Sequence, residues 1–262
     1  MVVCILGTLI LVVGANVTYA IMYPTFWSQR IPVMNSTYEG LTLSEYRGAA
    51  NASYAELCAF LANDTTETAD YRYPDYTCGD FALHLHDAAE LHGIDCGLVA
   101  ITLNTTGYLN VTTDDNSTAS SDKGHALVVF NTTDRGLVYV DATGMTKAEK
   151  KKGSEPLKMA VYFEEGMPLG EIALNQSESF NYSYYEQRSC QYALYMENVS
   201  RLLDDVDAYN AEVRALNGTI NGSMAAKKQE LIEAKRALGQ SDEAKWVITK
   251  PFGIVDSAVA YW

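Results

Sequence analysis

Residues 76–103 read YTCGDFALHLHDAAELHGIDCGLVAITL, and the fold class follows from this stretch. Thr77 followed three residues later by Asp80 is a capping-box pattern, so a helix is expected to begin at Cys78. Phe81, Leu85, Ala88, Ala89 and His92 then fall at helical intervals, and Gly93 suits the left-handed residue that ends a helix. The apolar run 98–103 reads as a buried strand. His84 and His86 point about 200° apart on a helix. They and His92 are therefore read as surface and flanking residues rather than ligands.

The stretch 124–144, GHALVVFNTTDRGLVYVDATG, continues the pattern as a β-hairpin, with strands near 124–130 and 136–141 joined around Thr133. If the hairpin is symmetric about Thr133, antiparallel partners have residue numbers summing to 266, and His125 lies directly opposite Asp141. Opposed residues share a face, with Cβ atoms about 4.5–5.5 Å apart. A one-residue slip would separate them. At that distance a carboxylate can fix the imidazole tautomer and support its cation.

Cys78 beside this pair makes a nucleophilic site. A thiolate in the first turn of a helix is stabilised by unpaired N–H groups and the helix dipole. A neighbouring His takes the thiol proton and returns it to a leaving amine, while the carboxylate orients the ring. Asp80 opposes the thiolate unless its carboxylate is turned away as a cap. In their local contexts, TCGDFA, GHA and VDATG, these residues resemble the core of the transglutaminase-like superfamily over about 65 to 70 residues. The resemblance implies Cys78 as nucleophile, His125 as general base and acid, Asp141 as orienting carboxylate, and a papain-like α+β fold with a helix packed on an antiparallel sheet. Relatives of this type include archaeal and bacterial cysteine peptidases. The motif assigns no oxyanion donor beyond the Cys78 N–H; Tyr76 or a residue in 41–62 is a candidate.

The composition fits such an enzyme and excludes other classes. With 262 residues, 48% hydrophobic and 20% charged, the chain can bury one core plus an accessory element. Disorder and fibrous repeats are excluded. Lys and Arg total 19 against 33 Asp and Glu, a net charge of −14, with the one short basic run at 147–152. No nucleic-acid partner is expected, since phosphate binding needs a concentrated positive face. Cys4, Cys58, Cys78, Cys96 and Cys190 form no CxxC pair, and no HExxH occurs. Neither a metal nor a cofactor is expected. At most one disulfide is expected among Cys58, Cys96 and Cys190, with Cys58–Cys96 one possibility.

Asparagine usage places the chain outside the cell. Thirteen of fourteen asparagines stand in N-x-S/T; Asn210 alone does not. Chance placement among the Ser and Thr present would give about two. N-linked sugar is thus expected on Asn35, Asn51, Asn63, Asn104, Asn110, Asn116, Asn131, Asn175, Asn181, Asn198, Asn217 and Asn221. Asn16 carries the remaining sequon, inside residues 2–23, VVCILGTLILVVGANVTYAIMY, which hold no charge. About 20 apolar residues span a bilayer. A retained anchor is favoured over a removed signal peptide because the cationic leading region is missing; the apolar helix of a pilin-like filament subunit is a third reading. The acidic, sugar-rich character suits an archaeal cell surface.

The remaining segments complete an expected division into 1–30 (transmembrane anchor), 31–175 (transglutaminase-like domain) and 176–262 (helical hairpin and tail). Residues 41–62 have helical spacing through Leu43, Tyr46, Ala50, Tyr54, Leu57 and Leu61, and 104–121 reads as a sugar-bearing loop. Tyr195, Val199, Leu202, Val206, Tyr209, Val213 and Leu216 form a heptad seam. A Gly-rich turn and a second helix through Met224, Leu231, Ala234 and Leu238 then give an antiparallel hairpin, either packed on the core or offered to an oligomer. The tail WVITKPFGIVDSAVAYW is a docked edge strand or a partner contact. Two functions are expected as alternatives: a membrane-anchored extracytoplasmic thiol enzyme acting on amide bonds of a surface protein or wall peptide, or a non-catalytic glycosylated accessory subunit of a surface assembly.

Overall fold

The computed structural model describes residues 32–38, 41–106, 122–216, 218 and 221–262. The expected membrane anchor, most of the expected sugar-bearing loop, and Asn16, Asn110, Asn116 and Asn217 lie outside these residues. Among the described residues, no helix is long and apolar enough to cross a membrane.

The fold is α+β. Strands β1 (Pro32–Tyr38) and β2 (Leu41–Tyr46) form an antiparallel hairpin. Helix α1 (Tyr54–Asn63) follows, then helix α2 (Cys78–His92). Next come β3 (Gly97–Asn104), β4 (Asp122–Thr132), β5 (Gly136–Asp141), the short helix α3 (Lys147–Lys151), β6 (Met159–Tyr162) and β7 (Gly170–Ala173). Two long helices, α4 (Tyr182–Ala215) and α5 (Gly222–Gln240), precede the last strand, β8 (Ile254–Tyr261). Six strands make one sheet in the order β7-β6-β5-β4-β3-β8, antiparallel throughout.

Residues 41–62 depart from the single helix their spacing suggests. Residues 41–46 are strand, and the helix starts only at Tyr54, where Ser53 and Glu56 form a reciprocal capping box. That box satisfies orphan N–H groups at one defined point, and a local signal of this kind outweighs an approximate apolar period.

The α2 boundaries follow their caps. The Asp80 carboxylate accepts from Thr77 N at 2.7 Å and from Thr77 Oγ1 at 3.1 Å. Gly93 ends the helix at φ 85°, a conformation that costs a residue with a Cβ more than it costs glycine. Phe81, Ala82, Leu85 and Ala89 are buried. Ala82, Leu85 and Ala89 pack, with Leu57 and Leu61 of α1, on the sheet face formed by Ala126, Val128, Phe130, Val138 and Val140.

The opposite sheet face carries a second core of Val99, Ile101, Leu103, Leu127, Val129, Val161, Leu169 and Val255. Before β8 the chain runs along the outer edge of β7: Ala173 N donates to Val247 O at 2.9 Å and Thr249 N to Glu171 O at 3.2 Å. It then enters β8, which pairs with β3. One segment therefore joins both edges of the sheet around the second core. The tail is an edge strand of this sheet.

The expected hairpin of α4 and α5 is present, and the heptad seam is half-buried from Tyr195 to Val213 with Tyr209 and Met224 buried, while Leu216, past the end of α4, is exposed. No disulfide forms among the described residues. Cys58, Cys78, Cys96 and Cys190 are free, so the suggested Cys58–Cys96 bridge is corrected.

Candidate active site

Each member of the expected triad sits where an element ends or begins. Cys78 is the first residue of α2, half-buried, and its thiol lies within electrostatic reach of the His125 side chain and the Ala126 amide. His125 lies near the start of β4 and Asp141 ends β5. His125 Nε2 and Asp141 Oδ2 are 2.7 Å apart, which leaves Nδ1 for the sulfur. The structure thus brings sulfur, ring and carboxylate together, with ring and carboxylate hydrogen-bonded.

The hairpin register differs from the symmetric expectation. Val128 pairs with Val140 and Thr132 with Gly136, so partner numbers sum to 268. Continuing that ladder sets Asp141 opposite Leu127 and diagonal to His125. The shift arises because the turn is centred on Asp134, where Thr132 Oγ1 accepts from Arg135 N and donates to Gly136 O. A change of two in the sum preserves the face, so the pair survives, and a diagonal neighbour is still within reach of a long side chain.

Electrostatics favour the charged form of each partner. Burial alone would push the Cys78 thiol up, but the hydrogen bond and charge of His125 and the Ala126 amide outweigh it and hold the thiol below its usual value. For His125, burial opposes the cation; the charge and hydrogen bond of Asp141, with Cys78, overcome this and raise the imidazole well above its usual value. Burial also works against the Asp141 carboxylate, yet His125 and Thr143 keep it below the ordinary range. Thr143 N donates to Asp141 Oδ1 at 2.6 Å. Both shifts favour the thiolate–imidazolium pair over the neutral thiol and imidazole. Asp80, turned away as the helix cap, does not spoil it.

Three further residues complete the site, and sequence reasoning missed them. Glu171 on β7 shares the inner sheet face with His125 and Asp141. It is 6% exposed, lies beside Asp141, and accepts from Thr249 Oγ1 at 2.8 Å. Burial, then the Asp141 charge, push its carboxyl up to about 7. Phe252 meets the His125 ring edge-on at 5.7 Å between centroids. The available signal was a single Glu in the apolar run 169–174, since an unpaired buried carboxylate is rarely tolerated there. Donor atoms of His125, Asp141 and Glu171 lie within 4.8 Å of one another. A protonated Glu171 carboxyl, favoured by its raised value, would bridge that gap to Asp141.

Tyr76 is unsuited as an oxyanion donor: its hydroxyl is 3.2 Å from His84 Nδ1 and its ring packs edge-on to Phe81. The donors at hand are the Cys78 and Gly79 amides that open α2, since Asp80 N and Phe81 N already donate to Thr77 O at 3.0 and 3.1 Å. The histidines of α2 also need correction. His84 and His92 are exposed, but His86 is fully buried. Among the sequon asparagines, Asn51, Asn63, Asn131, Asn175, Asn181, Asn198 and Asn221 are exposed, Asn104 is half-buried, and Asn35 lies on β1. Asn181 and Asn221 also cap α4 and α5 through Oδ1, and Asn181 Nδ2 donates to Ser179 Oγ at 3.0 Å. Compared with known protein families, with curated proteins and with solved structures, this chain matches none.

Proposed function

We propose that this chain is an extracytoplasmic, membrane-anchored thiol enzyme of transglutaminase-like type, acting on amide bonds of a surface protein or wall peptide. The observation that carries the reading is the line from the Cys78 sulfur through His125 to Asp141. The antiparallel sheet, the cysteine at a helix start and the exposed sequons agree with it.

The chemistry needs no group beyond these. The Cys78 thiolate attacks the amide carbonyl carbon, and the resulting oxyanion is met by the Cys78 and Gly79 amides at the start of α2. The His125 imidazolium gives its proton to the nitrogen as the C–N bond breaks, which leaves a thioester and neutral imidazole. Water or an amine then gives a proton to His125 while attacking the thioester, and the C–S bond breaks to restore the thiolate. Asp141 holds the ring and supports its cation.

Alkylation by iodoacetamide from pH 5 to 9 tests the reading. Cys78 in the wild type should react faster than a free thiol throughout the lower half of that range. His125→Ala should move the rise toward the ordinary thiol value. Equal profiles in both proteins would remove the basis for thiol catalysis.

A further inference from the structure

A second cluster of ionisable side chains lies two turns along α2 from Cys78, about 12 Å by the helical rise, where β2 packs on the helix. His86 is fully buried, and its Nδ1 lies 3.0 Å from Asp87 Oδ1. The carboxylate accepts, so Nδ1 carries the proton and Nε2 presents a lone pair. That nitrogen has no hydrogen-bond partner and faces Glu45 Oε1 at 3.7 Å, an oxygen that also has none. Two buried acceptors thus oppose each other at a separation too long for a hydrogen bond. Two metal–ligand bonds of roughly 2.0–2.2 Å meeting between tetrahedral and trigonal angles span roughly 3.4–3.7 Å.

Glu45 also belongs to a second group of donors, so it links the imidazole to them. Oxygens of Glu45, Glu90 and Asp95 lie within 4.8 Å of one another. Glu90 is fully buried and held by Tyr46 N at 3.1 Å and Cys96 N at 2.9 Å, one amide on each oxygen, which leaves a lone pair on both. Asp95 is positioned by its own N–H, which donates to Ala50 O at 3.0 Å. Among the described residues, no Lys or Arg forms an ion pair with Glu45, Asp87, Glu90 or Asp95. His86 and Glu90 are fully buried and Glu45 largely so, with no lysine or arginine among the described residues to pair with them.

We propose that Glu45, His86, Glu90 and Asp95 form a binding site for a divalent first-row transition-metal cation of the Zn²⁺ class. The imidazole nitrogen favours such an ion over Ca²⁺ or Mg²⁺, which prefer oxygen alone. Asp87 orients the ligating ring, as a carboxylate behind a metal-bound histidine does. The ion would staple the β1–β2 hairpin to the helix that carries Cys78. This proposal stands apart from the thiol chemistry.

The test is calorimetric titration of Zn²⁺ into the chelator-stripped full chain, after iodoacetamide has capped accessible thiols so that Cys78 takes no metal. The expected result is saturable uptake of one ion per chain with a raised unfolding temperature. Asp87→Asn should weaken uptake about 10- to 100-fold. Glu45→Gln should weaken it by at least that factor. Because His86 is enclosed and its replacement risks misfolding, Glu45→Gln, near-isosteric and partly exposed, is the deciding variant. Absence of saturable uptake at millimolar Zn²⁺, or equal uptake by wild type and Glu45→Gln, would overturn the site. Ca²⁺ binding as tightly as Zn²⁺ would overturn the imidazole's role as a ligand.

Discussion

Asp141 stands between two groups of opposite demand. His125 needs it ionised; Glu171, buried beside it, needs a proton to approach it at all. The carboxyl of Glu171, raised to about 7 from 4.5, is protonated over most of the range in which Asp141 is charged. It can therefore donate a hydrogen bond to Asp141. A raised folded-state value means that the folded protein binds the proton more tightly than the unfolded chain. The stabilisation is complete below the unfolded value and is lost as pH rises through about 7. Denaturant unfolding at pH 5 and pH 8 should show this group contributing a loss of at most roughly 3 kcal/mol in the wild type. Glu171→Gln keeps a donor facing Asp141 at every pH, so the loss should be smaller by that share. An unchanged difference between the two pH values would dissociate Glu171 from Asp141.

At the level of elements, local signals were legible and distant pairings were not. Thr77, Asp80 and Gly93 marked both ends of α2 because caps act within a few residues. Ser53 and Glu56 carry a capping signal of the same kind, and its neglect turned β2 and α1 into one helix. The faces of His125 and Asp141 were legible through strand alternation, although the register itself depended on how Thr132 closes the turn. Glu171 and His86 were missed because their burial is set by elements far away in sequence. Helix α4 shows how such a distant fit is enforced. A Cβ at Gly170 would lie 2.2–2.4 Å from the Tyr185 ring, and Tyr185 stacks on Tyr162 at 5.7 Å. Gly170→Ala should therefore lift the first turns of α4 from β7 and cost about 1–3 kcal/mol in denaturant unfolding. Adding Tyr185→Ala should recover part of the loss, since the clash disappears with the ring. A neutral Gly170→Ala would refute this docking.

For the molecule as a whole, the decisive feature is the segment that closes the sheet. Residues 247–255 pair with the β7 edge and lead into β8 on β3, and along the way they deliver Thr249 to Glu171, Phe252 to His125 and Val255 to the second core. Closure and the surroundings of the thiol site are thus one structure. The helical hairpin interrupts the chain between β7 and this segment, so the last residues return to complete a sheet begun more than a hundred residues earlier. A chain ending at Lys245 would keep Cys78, His125 and Asp141 but leave the edges of β3 and β7 bare, and bare edges pair with other chains. Such a chain should aggregate, and any soluble fraction should alkylate at the rate of an ordinary thiol. Val255→Asp, which keeps the full length, should show the same loss more mildly, because it sets a carboxylate among Val99, Leu103 and Leu127. Size-exclusion chromatography with iodoacetamide kinetics distinguishes the outcomes. A monomeric truncated chain whose Cys78 still reacts fast would mean that the triad is held by α2, β4 and β5 alone, and that sheet closure serves stability without shaping the site.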